Sequence, residues 1–76
     1  MILIIGDQRV AILFTTEQKI PRNEWRLIRN KEQLRGYDPD NQPEVLCVGY
    51  WEQLPRYVEL HREAVRLGMN PRSVLL

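Results

Sequence analysis

Residues 2 to 5 read Ile-Leu-Ile-Ile, four large apolar side chains without polar alternation, closed at once by Gly6-Asp7. Such a run is too short for a stable helix. As a strand it presents apolar side chains to both faces of a sheet, so both faces need cover. Residues 44 to 48, Glu-Val-Leu-Cys-Val, form a second strand of this kind before Gly49. Strands covered on both faces belong to parallel sheets, whose crossover helices lie above and below.

The remaining segments fit that frame. Asp7 to Lys19 carries Val10, Leu13 and Phe14 on one helical face, with Asp7 placed to cap the start. The alternative is a hairpin turn at Gly6-Asp7 with Val10 to Phe14 as a strand. Helix formers such as Ala11, Glu17, Gln18 and Lys19 favour the helix. Pro21 ends it. Trp25 to Arg29 alternates, with Trp25 and Leu27 in one register and Arg26 and Ile28 in the other, as expected of a less completely covered strand.

Asn30 and Gln33 have capping-box spacing and open a short helix anchored by Leu34 and stopped by Gly36. A turn-rich loop, Asp38 to Pro43, leads to the strand at Glu44. Pro55 opens a longer helix whose inward face is Val58, His61 and Val65, with Tyr57, Leu60 and Ala64 beside them; Gly68 closes it, and Ser73 to Leu76 gives a last strand. The fold class is α/β: a three-layer, four-stranded parallel sheet with βαβαβαβ connectivity and right-handed crossovers. Placing the two most apolar strands in the centre gives the order 2-1-3-4.

Seventy-six residues make one domain, spanning 1–76, with a thin core. Eleven Lys and Arg balance ten Asp and Glu with the signs interspersed, so the strong net charge of a nucleic-acid binder is missing. Nucleic acid would need Arg22, Arg26, Arg29 and Arg35 on one face with Trp25 stacking, and Glu24 and Glu32 dilute that face. Nine of the eleven cations are Arg, suited to planar contact with carboxylate or phosphate, though gene base composition explains the excess as readily.

Cys47 is the single cysteine, which excludes an internal disulfide framework and makes a cytoplasmic location the expectation. The opening Met-Ile-Leu-Ile-Ile lacks the basic leader of a signal peptide, and no run is long enough to span a bilayer, so no membrane association is expected.

The apolar first strand with Gly6-Asp7, the segment Pro21-Arg22-Asn23-Glu24-Trp25-Arg26, the segment Glu32-Gln33-Leu34-Arg35-Gly36 and the valine-rich strand into Gly49-Tyr50-Trp51 resemble a group of small uncharacterised proteins of actinobacterial bacteriophages. The resemblance implies a minimal Rossmann-like unit, residence in the host cytoplasm and no assigned activity. It also favours the helix at residues 7 to 19. Tyr50 stands where that group more usually carries a small hydroxyl residue.

In an open parallel sheet, ligands bind beyond the C-terminal ends of the strands, where strand order reverses. With order 2-1-3-4 this places Gly6, Asp7, Gln8 and Arg9 on one side of a crevice and Gly49, Tyr50 and Trp51 on the other, with Arg29 and Asn30 near. Tyr50 and Trp51 then form an aromatic lip, or Trp51 folds back into the core. Tyr50, Trp51, Arg56 and Tyr57 are close enough in sequence to form one interface patch. Arg56, in the first turn after Pro55, is also the better anion candidate. Only Gly6 of the three dinucleotide-loop glycines is present, and Asp7 opposes phosphate there, so no cofactor is expected.

Catalytic material is sparse. His61 falls mid-helix and Cys47 inside an apolar strand, where a thiol behaves as a small hydrophobe. Asp38, Asp40 and Asn41 share a loop broken by Pro39 and Pro43 without calcium-loop spacing, so no metal is expected. The leading expectation is a non-catalytic module binding a host or phage protein. The alternative is a domain that binds a small anionic ligand or nucleotide in the crevice. Monomer and homodimer both remain open, the dimer pairing through the uncharged edge at residues 73–76.

Overall fold

The computed structural model describes residues 1–38 and 40–74; Pro39, Leu75 and Leu76, the last two expected in the final strand, lie outside them. The sheet has four parallel strands in the order β2-β1-β3-β4, with β1 at Ile2–Ile5, β2 at Trp25–Leu27, β3 at Glu44–Val48 and β4 at Arg72–Val74. The expected class and strand order are both found. The two apolar runs lie side by side in the centre, Ile5 in register with Cys47.

Helix α1, Gln8–Glu17, joins β1 to β2, and helix α2, Pro55–Arg66, joins β3 to β4. Right-handed crossovers dictate their faces. The step from β1 to β2 goes one way across the sheet and the two later steps go the other, so α1 must lie on one face and α2 on the opposite one. The core divides accordingly. Ile4, Leu46 and Val48 pack with Ala11 and Phe14 of α1 and with Trp25. Leu3, Ile5, Val45 and Cys47 pack with Leu60 and Ala64 of α2 and with Leu34. Leu3, Ile4 and Ile5 are completely buried, and each such side chain contributes roughly 1.5–3 kcal/mol before chain entropy is counted.

Asp7 caps α1: its Oδ1 accepts from the backbone N–H groups of Arg9 at 2.8 Å and Val10 at 3.4 Å. The buried Thr15 hydroxyl donates to the Ala11 carbonyl at 2.9 Å, so its polarity is satisfied within the helix. β2 is shorter than expected, but Ile28 continues its ladder by donating its N–H to the Ile4 carbonyl at 2.8 Å.

Three expectations need correction. On α1 the buried residues are Ala11, Phe14 and Thr15, and Leu13, expected on the inward face, is exposed. The helix after Asn30 is a single 3₁₀ turn, Lys31–Leu34. Its capping box forms, with Asn30 Oδ1 accepting from the Gln33 N–H and Gln33 Oε1 accepting from the Asn30 N–H, both at 3.2 Å. One apolar anchor and Gly36 close behind leave too little sequence to extend it. On α2 the buried stripe is Tyr57, Leu60, Glu63 and Ala64, while Val65 faces solvent and Val58 and His61 lie half-buried at the flank. Glu63 occupies the stripe because two arginines neutralise it. Arg35 Nη2 donates to its Oε2 at 3.3 Å, and Arg66 donates to both oxygens at 3.0 and 2.6 Å. These bonds, Arg66 first, hold the Glu63 carboxyl down at about 2.

Candidate functional site

Chain geometry at the ends of β1 and β3 decides where a ligand could sit. Gly6 follows β1 with φ +143°, and a Cβ there would lie 2.7 Å from both the Val48 carbonyl oxygen and Val48 Cγ2. Gly49 follows β3 with φ +67°, and a Cβ there would meet Val10 Cγ1 at 3.3 Å. Both glycines supply backbone conformations and close approaches that a side chain would obstruct. The turns leaving β1 and β3 are therefore tightly packed, Gly6 against Val48 and Gly49 against Val10.

The open space lies one strand over, between α1, the end of β2 and the start of α2, as a crevice of about 560 Å³. Gly6, Asp7, Gln8, Arg9 and Ile12 form the α1 wall. Leu27, Ile28 and Arg29 come from β2 and its end, and Arg56, Tyr57 and Leu60 from α2. Small-molecule sites commonly have this size, an apolar lining and a few convergent polar groups.

Asp7 and Arg9 line this crevice together with Arg56 and Tyr57, without the β3 loop expected opposite them. Gly49, Tyr50 and Trp51 do not line the crevice. The aromatic lip divides: Tyr50 is 84% exposed, whereas Trp51 is 8% exposed and belongs to the core. A 3₁₀ turn at Trp51–Gln53 folds the indole back under α2. Its ring stacks on His61, with centroids 4.6 Å apart and planes 20° from parallel. Trp51 Nε1–H donates to Ser73 Oγ at 3.0 Å, which satisfies the one polar atom of the buried indole.

Charge gives the crevice its character. Three arginines from three separate parts of the chain, with one aspartate, line it. Among the described residues the ion pairs are Arg35 and Arg66 with Glu63 and Arg72 with Glu44, so Arg9, Arg29 and Arg56 have no carboxylate partner. Arg56 is held in place: its Nη2 donates to Tyr57 Oη at 2.8 Å, and its guanidinium lies 4.8 Å from the Tyr57 ring centroid. Arg29 is anchored through its backbone N–H, which donates to Gln33 Oε1 at 2.5 Å.

The basic face needed for nucleic acid does not assemble. Trp25 is buried, Arg22 covers its ring at 4.3 Å, and Arg35 is committed to Glu63. Cys47 is buried in β3, where desolvation pushes its thiol up to about 12. Neither Cys47 nor His61 reaches the crevice. In the 38–43 loop, Asp38 Oδ1 accepts from the Asp40 N–H at 2.9 Å, a local turn bond, and no metal-binding cluster occurs among the described residues. No helix among the described residues is long and apolar enough to cross a membrane.

Ile12, Leu27, Ile28 and Leu60 complete the crevice without having been foreseen. Ile12 left one signal, a large apolar side chain off the buried stripe of α1. Comparison with protein-family models, curated proteins and solved structures finds no match for this chain.

Proposed function

We propose that this chain is a non-catalytic binding domain that holds a small anionic ligand in the crevice between α1, the end of β2 and the start of α2. The observation that carries this reading is the convergence of Arg9, Arg29 and Arg56, each without a carboxylate partner among the described residues. Guanidinium groups recognise planar oxyanions through paired, charge-assisted hydrogen bonds. Thermal unfolding in the presence of phosphate, sulfate, acetate and mononucleotides tests it. A ligand at 100 times its Kd stabilises the folded state by about 2.7 kcal/mol, and Arg29→Ala with Arg56→Ala should abolish the shift. Absence of any shift at millimolar anion contradicts it.

A second reading, a module that binds a host or phage protein in the host cytoplasm, is favoured by Tyr50. Its ring is the most exposed of the large apolar side chains among the described residues, and Leu13 and Leu54 are also open. Aromatic side chains of this kind anchor interfaces. Burial of Trp51 and Tyr57 removes two of the four side chains expected in that patch. Here Tyr50→Ala should weaken capture of a specific host protein, while the crevice arginine variants should not.

A further inference from the structure

We infer that the ligand of the crevice is an amphipathic anion, with an oxyanion head on Arg29 and Arg56 and an apolar body against Ile12. The inference rests on the anion-binding reading and specifies its ligand class. Ile12 is a crevice wall residue that remains 46% exposed, whereas Ile28, Tyr57 and Leu60 in the same crevice are buried. An apolar side chain left open inside a charged crevice is cover for the non-polar part of a ligand. Burying it adds affinity that an inorganic ion cannot gain.

The position of the head follows from Asp7. Its Oδ1 already accepts from the backbone N–H groups of Arg9 and Val10, donors that a phosphate at a helix start would otherwise use. The same carboxylate repels an anion at the α1 end of the crevice. Arg29 and Arg56 stand on the other two walls, and Arg56 is fixed against Tyr57 before any ligand arrives. A fixed guanidinium loses less freedom on binding. Pyrophosphate-type recognition through a glycine loop has no place in this geometry, because Gly6 is packed on Val48.

Isothermal titration with inorganic phosphate and phenyl phosphate tests the inference on the intact chain. Phenyl phosphate should bind at least about tenfold more tightly, as expected for burial of one ring face. Ile12→Gln, checked for folding by circular dichroism, should bring the two probes within about threefold, the loss falling mainly on phenyl phosphate. Arg29→Gln should weaken both by about tenfold or more. Equal affinity of the two probes in the unmodified protein overturns the amphipathic ligand and leaves the anion site standing. So does an Ile12→Gln variant that weakens both probes alike. Failure of both probes to bind overturns the anion-binding reading itself.

Discussion

A Cβ at Gly6 would lie 2.7 Å from the carbonyl oxygen of Val48, so the backbones leaving β1 and β3 approach each other more closely than any side chain allows. The accessible crevice lies on the β2 side, lined by Leu27, Ile28 and Arg29 as well as by the start of α1. Gly6→Ala should therefore destabilise the fold by about 3 kcal/mol or more, from both clash and backbone strain. Gly49→Ala meets the softer Val10 side chain at 3.3 Å and should cost about 1–2 kcal/mol. Urea unfolding of the two variants checks the ranking.

The neighbours Tyr50 and Trp51 should respond oppositely to truncation. Trp51 is packed on His61 and bonded to Ser73, and Trp51→Ala should cost about 3–5 kcal/mol. Ser73→Ala, which leaves the indole N–H without its partner, should cost about 1–3 kcal/mol. Tyr50→Ala should stay within about 0.5 kcal/mol of the parent. Equal costs for Tyr50→Ala and Trp51→Ala in denaturant titration would place the indole outside the core.

Acid sensitivity should trace to Glu63. Its carboxyl titrates at about 2 in the folded chain, against 4.5 for an ordinary glutamate. The folded state therefore binds this proton less tightly than the unfolded chain does. The stability contributed by the charged form is complete above 4.5 and is lost as pH falls through about 2. Thermal unfolding followed down this range should show a falling midpoint, and Glu63→Gln should flatten that part of the profile.

Cys47 should be silent in the folded protein. Desolvation raises its thiol to about 12, which leaves almost no thiolate to attack an external reagent. A thiol-specific disulfide reagent at about pH 8 should label it only as fast as the sheet opens, and at full rate in denaturant. Rapid labelling of the native chain would contradict the position assigned to β3.

The fold was legible because strand order follows from which strands need cover on both faces: Ile2 to Ile5 and Val45 to Val48 took the centre as their composition requires. The site was legible only in part. Asp7 and Arg9 were read from the turn after β1, and Arg56 and Tyr57 from an aromatic–Arg patch with Tyr50 and Trp51; the crevice lined by all four was not read. Placement of Trp51 depended on a one-turn 3₁₀ segment and on Ser73, 22 residues away, which no local pattern encodes. The crevice joins residues from α1, the end of β2 and α2, a long-range meeting that periodicity does not encode. The burial of Glu63 has no local signal in the sequence, because Arg35, which helps neutralise it, lies 28 residues earlier.

The central claim is that the working surface is the crevice between α1, the end of β2 and α2, rather than the β1–β3 switch point. Two-dimensional ¹⁵N–¹H spectra recorded during a titration with phenyl phosphate test it most directly. The account predicts that amide shifts concentrate at Gly6 to Arg9, at Arg29 and at Arg56 to Tyr57, with Gly49 and Tyr50 little changed. Shifts centred on Gly49 and Tyr50, or none at saturating probe, would contradict it.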